Sequence, residues 1–120
     1  MAMEIANDIA KKRCKEYYFR SAGIAILGND IDRNVKRVLE EINIFTDYQP
    51  TQIDNYNIES FDEIHVMTQR QKITLCSYYR DKDIQDKIVI LDIDNPYSAG
   101  IAAYRECRDK LTEFYSEYIV

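Results

Sequence analysis

The chain has 120 residues, 46% of them hydrophobic and 31% charged, and a net charge of −5. That composition gives one globular domain over residues 1–120, with material for one core and not two. The acidic balance excludes a nucleic-acid or anionic-membrane surface as the main business. No apolar run approaches the roughly 20 residues that span a bilayer, and no secretory leader is visible, so a cytoplasmic protein is expected.

The first helix begins almost at Met1, with Ala2, Ile5, Ala6 and Ile9 on one face. Cys14 to Glu16 ends it. Tyr17-Tyr18-Phe19 reads as a short strand closed by Ser21-Ala22-Gly23, and Ile24 to Gly28 as a loop or strand extension. Asn29 or Asp30 caps a second helix with Ile31, Val35, Val38, Leu39 and Ile42 as its buried stripe. Asn43 to Asn57 is a polar connection. Asp62 to Met67 is a second strand. Thr68-Gln69-Arg70-Gln71 fits a capping box that opens a third helix to about Tyr79. After a charged turn, Asp81 to Asp86, the β-branched run Ile88 to Leu91 is a third strand, buried and parallel. Ser98 caps a last helix with Ile101, Tyr104, Leu111, Phe114 and Tyr118 on one stripe. Strands alternating with helices imply an α/β fold, a parallel sheet with right-handed crossovers.

The segment Asp92-Ile93-Asp94-Asn95-Pro96-Tyr97 follows the third strand. It lies just past a strand's carboxyl end, where open α/β sheets build their sites. An Asp-Pro loop there is well placed to hold a general acid. Here the residue before the proline is Asn95, which has no proton to give.

Six pieces in order resemble the low-molecular-weight protein-tyrosine phosphatases and their arginine-phosphatase and arsenate-reductase relatives. Met1 to Ala6 is similar to the start of that family's first helix, and Ser21-Ala22-Gly23 to the end of its second strand. Val35 to Ile44, Phe61 to Thr68, Asp92 to Tyr97, and Tyr104 to Arg108 supply the rest. The resemblance implies a three-layer, doubly wound fold whose four-stranded parallel sheet has the order 2-1-3-4. It also implies a C-x5-R-S loop after the first strand. Backbone amides there cradle phosphate, the cysteine attacks as a thiolate, and an aspartate before proline protonates the leaving group. This sequence starts about where that loop ends. By the resemblance, the first (central) strand and the nucleophile are missing and Asn95 fills the general-acid position. Tyr48 and Thr51 stand where relatives often carry His and Arg.

Cys14-Lys15-Glu16-Tyr17-Tyr18-Phe19-Arg20-Ser21 satisfies C-x5-R-S literally. Three aromatics beside an acidic Glu16 do not suit a loop whose amides must converge on an anion, so Cys14 reads as a helix-end residue. Asp92 and Asp94 are candidates for a substitute acid, or solvated loop residues. Glu40 and Glu41 read as solvated helix surface, and His65 as a core or sheet-face residue. Cys14, Cys76 and Cys107 lack metal spacing and read as reduced thiols, the last two buried and inert. Tyr78, Tyr79, Tyr115 and Tyr118 read as packing residues with wet hydroxyls. No cofactor or metal is expected.

The expected function is that of a catalytically inactive member of this family acting through binding. The alternatives are a phosphatase or arsenate reductase whose catalytic loop lies upstream of this sequence, and an unrelated doubly wound binding module. A missing central strand leaves unpaired backbone. The remaining strands are therefore expected to close up, or a second copy to fill the gap as a homodimer. Neither nucleic acid nor membrane is expected as a partner.

Overall fold

The computed structural model describes residues 1–23, 32–97 and 99–120. Helix α1 (Ala2–Lys12) buries Ile5, Ala6 and Ala10 and ends in a left-handed residue, Cys14, at φ 55°. Lys15 N donates to Ala10 O (2.9 Å) and Cys14 N to Lys11 O (3.2 Å), the pattern that closes a helix through a left-handed cap. Helix α2 (Arg33–Glu40) starts at Asp32, whose carboxylate accepts from Asn34 N at 2.7 Å. The expected caps, Asn29 and Asp30, lie outside the described residues, as do Ile31 and the segment Ile24 to Gly28. Asn43, at φ 64°, closes α2 in the same manner as Cys14 closes α1.

Strand β1 (Ile64–Val66) and strand β2 (Ile88–Ile90) pair in parallel, Ile64 with Ile88 and Val66 with Ile90. Between them lies α3 (Gln69–Tyr78). Thr68 Oγ1 accepts from Gln71 N at 3.3 Å, as a capping box requires. Its second half differs: Gln71 Oε1 accepts from Met67 N (2.6 Å), one residue before the cap, and so satisfies the amide that ends β1. Helix α4 (Ile101–Tyr118) starts at Gly100, whose φ of 90° suits glycine. Ser98, the expected cap, lies outside the described residues. Buried Tyr104, Cys107, Leu111 and Tyr115 form the inner stripe of α4, with Phe114 half-buried and Tyr118 at the surface.

Period-two alternation sorts the strand side chains into two cores. Ile64, Val66, Ile88 and Ile90 pack with Ile53, Ile58, Leu75 and Ile84 on the α3 side. Met67, Val89 and Leu91 pack with Ile5, Leu39, Leu111 and Tyr115 on the side of α1, α2 and α4. This is the expected three-layer α/β arrangement. The ends of α1 and α4 are joined: Arg13 Nη1 donates to Ser116 O (2.6 Å) and to Ile119 O. The last turn of α4 has no cation of its own, so Arg13 supplies one where the helix dipole favours it.

One expected strand is not formed. Tyr17-Tyr18-Phe19 joins no ladder among the described residues; a parallel bridge occurs instead at Gly23 and Gln52. At Phe19 the side chain of Asn7 takes the main chain instead. Asn7 Nδ2 donates to Phe19 O (3.1 Å) and Phe19 N donates to Asn7 Oδ1 (3.0 Å). A side-chain amide thus satisfies the groups a neighbouring strand would have used. Among the described residues β1 is laddered only to β2, so the two segments do not close up by direct pairing.

Candidate functional site

The loop after β2 is anchored by the sheet. Asp92 takes the left-handed conformation (φ 58°), which a short polar side chain tolerates. The turn lets Leu91 N donate to Val66 O (2.9 Å) and Ile93 N to Met67 O (3.0 Å), and it buries both apolar side chains. Asn95 Oδ1 accepts from Tyr97 N at 3.1 Å, and Ala99 N donates to Pro96 O at 2.9 Å. The Asn95 amide therefore shapes a local turn. Asp92 and Asp94 are both exposed, as solvated loop residues would be.

A cavity of about 210 Å³ lies between this loop and α4. Ile93, Asp94, Asn95 and Pro96 form one wall; Ala103, Cys107 and Lys110 contribute to the other. Sequence reasoning missed Cys107 and Lys110 as neighbours of the loop. The signal was the spacing of residues 103, 107 and 110, which share one helix face. Cys107 is 4% exposed. Burial pushes its thiol above the usual range, only partly countered by the Met1 ammonium and Lys110. It is therefore mostly the neutral thiol near pH 7, a poor nucleophile.

The literal C-x5-R-S match makes no phosphate cradle. The amides of Cys14 and Lys15 already donate to α1 carbonyls, and residues 15–20 belong to no helix or strand. Its place in the fold is also wrong. Arg13 reaches Ser116, six residues beyond Lys110 and so about 9 Å along α4 from the cavity. Cys14 and Arg20 are exposed, and all three cysteines are free. Among the described residues no group of His, Cys, Asp and Glu side chains could hold a metal ion.

The remaining candidates have structural partners. His65 stacks on Tyr115 (5.7 Å, 10°), with Phe19, Phe114 and Tyr118 edge-on around it. Its Nδ1 lies 2.8 Å from Tyr115 Oη and its Nε2 lies 2.8 Å from Glu63 Oε1. Tyr118 donates to the same Glu63 oxygen. The His65 and Tyr118 hydrogen bonds hold the Glu63 carboxyl below its usual range. Partial burial and the Glu63 bond push the Tyr118 hydroxyl up to about 12. The Tyr115 hydroxyl is not the wet one expected, for the residue is 2% exposed and the hydroxyl meets His65 Nδ1. Tyr78 and Tyr79 both donate to Asp54.

Glu41 is likewise not merely solvated surface. It accepts from Arg105 Nη2 (2.8 Å) and Arg108 Nη1 (2.7 Å), tying the end of α2 to α4. The Arg105 hydrogen bond above all, with Arg108 adding, holds its carboxyl at about 2. Tyr48 donates to Ser21 O (2.8 Å) and accepts from Ser21 Oγ (2.9 Å), while Thr51 O accepts from Gly23 N (2.9 Å). These contacts pin the connection before β1 to the end of the Tyr17–Gly23 segment.

The fold is shared with solved structures. A YwlE mutant from Bacillus subtilis superposes with a TM-score of 0.88 at 23% identity, covering 98% of this chain and 85% of that one. A low molecular weight protein tyrosine phosphatase from T. tengcongensis gives 0.86 at 20% identity, covering 98% and 86%. The YwlE arginine phosphatase from Geobacillus stearothermophilus gives 0.85 at 21%, covering 98% and 80%. No curated protein matches significantly. The sequence profile for low molecular weight phosphotyrosine protein phosphatase matches residues 1–119. With the strand before Thr68 and the anchored Asp92–Tyr97 loop in place, the chain belongs to the low molecular weight phosphotyrosine protein phosphatase family.

Proposed function

We propose that these 120 residues form a phosphatase-family domain that does not turn over phosphate monoesters by itself and acts through binding. The carrying observation is the chemistry of the Asp92–Tyr97 loop. Asn95 stands in the family's general-acid place, and its oxygen is committed to Tyr97 N. The one thiol on the adjoining cavity, Cys107, is buried and protonated. Neither half of a thiolate-and-acid mechanism is then supplied. Three free cysteines support a reducing, cytoplasmic setting. The test is hydrolysis of p-nitrophenyl phosphate between pH 5 and 8, with Cys14→Ser and Cys107→Ser alongside. No turnover is expected. Turnover abolished by either substitution would overturn the proposal and name the nucleophile.

Among the described residues β1 is laddered on one side only, which favours a second reading. In a longer form of the chain, a further strand and loop would supply the nucleophile and cradle. The activity would then be phosphomonoester hydrolysis, on tyrosine or arginine phosphate, or arsenate reduction. In that form Asn95→Asp should raise kcat most for substrates with poor leaving groups, which need protonation.

A further inference from the structure

We propose that residues 16–20 are a self-recognition segment: two copies of the chain pair there as antiparallel strands about Tyr18, in a two-fold symmetric dimer. The surface is separate from the cavity beside the Asp92–Tyr97 loop and shares no lining residue with it.

The side chains of this segment alternate as those of a strand do. Phe19 packs edge-on against Tyr115 at 5.6 Å and Tyr17 lies beside Phe19 at 6.2 Å. Glu16, Tyr18 and Arg20 are all exposed instead, Tyr18 to 82%. The main chain is used on one side only. In a strand the N–H and C=O of one residue project to the same edge, and those of its neighbours to the opposite edge. Phe19 gives both groups to the side chain of Asn7. The groups of Glu16, Tyr18 and Arg20 then face away from Asn7, and among the described residues they make no hydrogen bond.

The residue pattern identifies the occupant as a second copy. Glu16-Tyr17-Tyr18-Phe19-Arg20 places an acid and a base at equal distances from Tyr18, with an aromatic on each side of it. Laid antiparallel on a second copy about Tyr18, position 16 falls opposite 20, 17 opposite 19, and 18 opposite itself. Glu16 then meets Arg20 of the second copy, Arg20 meets its Glu16, and Tyr17 meets its Phe19. Opposite charges and paired aromatics across a ladder stabilise it, and like charges destabilise it. Neither Glu16 nor Arg20 has an ion-pair partner among the described residues. The same register makes 16–20 and 18–18 the hydrogen-bonded pairs, which are the positions whose main-chain groups are free. A parallel, in-register pairing sets Glu16 on Glu16 and Arg20 on Arg20, and a uniformly acidic or basic strand suits only one of the two. Five residues bury far less than the roughly 1,600 Å² of a standard interface, so the dimer is weak and depends on concentration.

The test is sedimentation velocity on the full chain at concentrations up to about 1 mM, where a monomer–dimer equilibrium is expected. Glu16→Arg alone and Arg20→Glu alone should each weaken the dimer about tenfold or more, since each sets like charges face to face at both ends of the pairing. Mixed together, the two variants should associate more tightly than either does by itself, because every arginine then meets a glutamate. Both positions are exposed, and circular dichroism checks the fold. A second readout needs no variant. As concentration rises, the amides of Tyr18 and Arg20 should exchange more slowly, while the Tyr17 amide, on the other edge, should not. A chain that stays monomeric, a dimer indifferent to both substitutions, or a mixture no tighter than its parts overturns the proposal. So does slowing of exchange at Tyr17 rather than at Tyr18.

Discussion

Replacing His65 by leucine separates a hydrogen-bonded core from one filled only by shape. His65 Nδ1 is the hydrogen-bond partner of the Tyr115 hydroxyl, at 2.8 Å. The Tyr115 side chain is 2% exposed, so water cannot take over the lost bond. His65→Leu should therefore leave a buried orphan hydroxyl, at a cost of about 1–3 kcal/mol. Loss of the stacked and edge-on ring contacts adds about 0.5–1.5 kcal/mol, partly offset by the more apolar leucine. A net destabilisation of about 2 kcal/mol is expected. At about 2.1 cal/mol/K per residue for 120 residues, that lowers Tm by about 8 °C. Tyr115→Phe alone should cost about 1 kcal/mol, because the freed His65 nitrogen is nearer the surface, its side chain 12% exposed. The double variant removes both partners and should cost less than the two singles together by about 1–2 kcal/mol. Urea denaturation followed by circular dichroism gives all four free energies. Additivity within error would refute the reasoning, since it would mean that the bond carries no coupling.

Asn95→Asp alone should restore no p-nitrophenyl phosphate turnover to the 120-residue chain, because no thiolate faces it; measurable hydrolysis counts against that reading. Asn7→Ala removes both bonds to the Phe19 main chain and should cost about 1–3 kcal/mol in urea melts. A cost near zero would show that water replaces the clamp. Asp92→Val puts a β-branched residue at φ 58° and should destabilise by about 1–2 kcal/mol, with the loop after β2 affected first in amide exchange. Glu41 has its pKa lowered from 4.5 to about 2 on folding, so its contribution is fully present above pH 4.5 and is lost as pH falls toward 2. The stability difference between the native chain and Glu41→Gln should shrink over that window; a difference independent of pH would contradict the Arg105 pairing.

What the sequence shows well here is what depends on near neighbours in the chain. The α1 stripe, Tyr104 and Leu111 of the α4 stripe, the Thr68 cap and the β-branched run at 88–91 all rest on contacts a few residues apart, whereas the α4 stripe runs on through Tyr115 rather than Phe114 and Tyr118. The family resemblance added the family itself, which the matching profile over residues 1–119 bears out. Tyr17-Tyr18-Phe19 failed because being a strand is not a local property. It needs a neighbour's backbone, and Phe19 found a side chain twelve residues away instead. Glu41 looked solvated because its partners, Arg105 and Arg108, lie 64 and 67 residues on. Cys107 was seen as a core residue correctly, yet its place beside the Asp92–Tyr97 loop depends on how α4 crosses the sheet. Side-chain amides that imitate backbone, and ion pairs between remote helices, leave no periodic trace.

Arg13 has a consequence for how the domain breathes. One guanidinium on the end of α1 occupies the last carbonyls of α4, across 103 and 106 residues. Neither helix can fray alone without stripping the other of its terminal contacts. The two outermost helices in sequence should therefore open as one unit, with amides near residue 10 and near residue 118 exchanging together. A single charge-removing substitution at Arg13 should split that unit into two independent motions, even where global stability changes little.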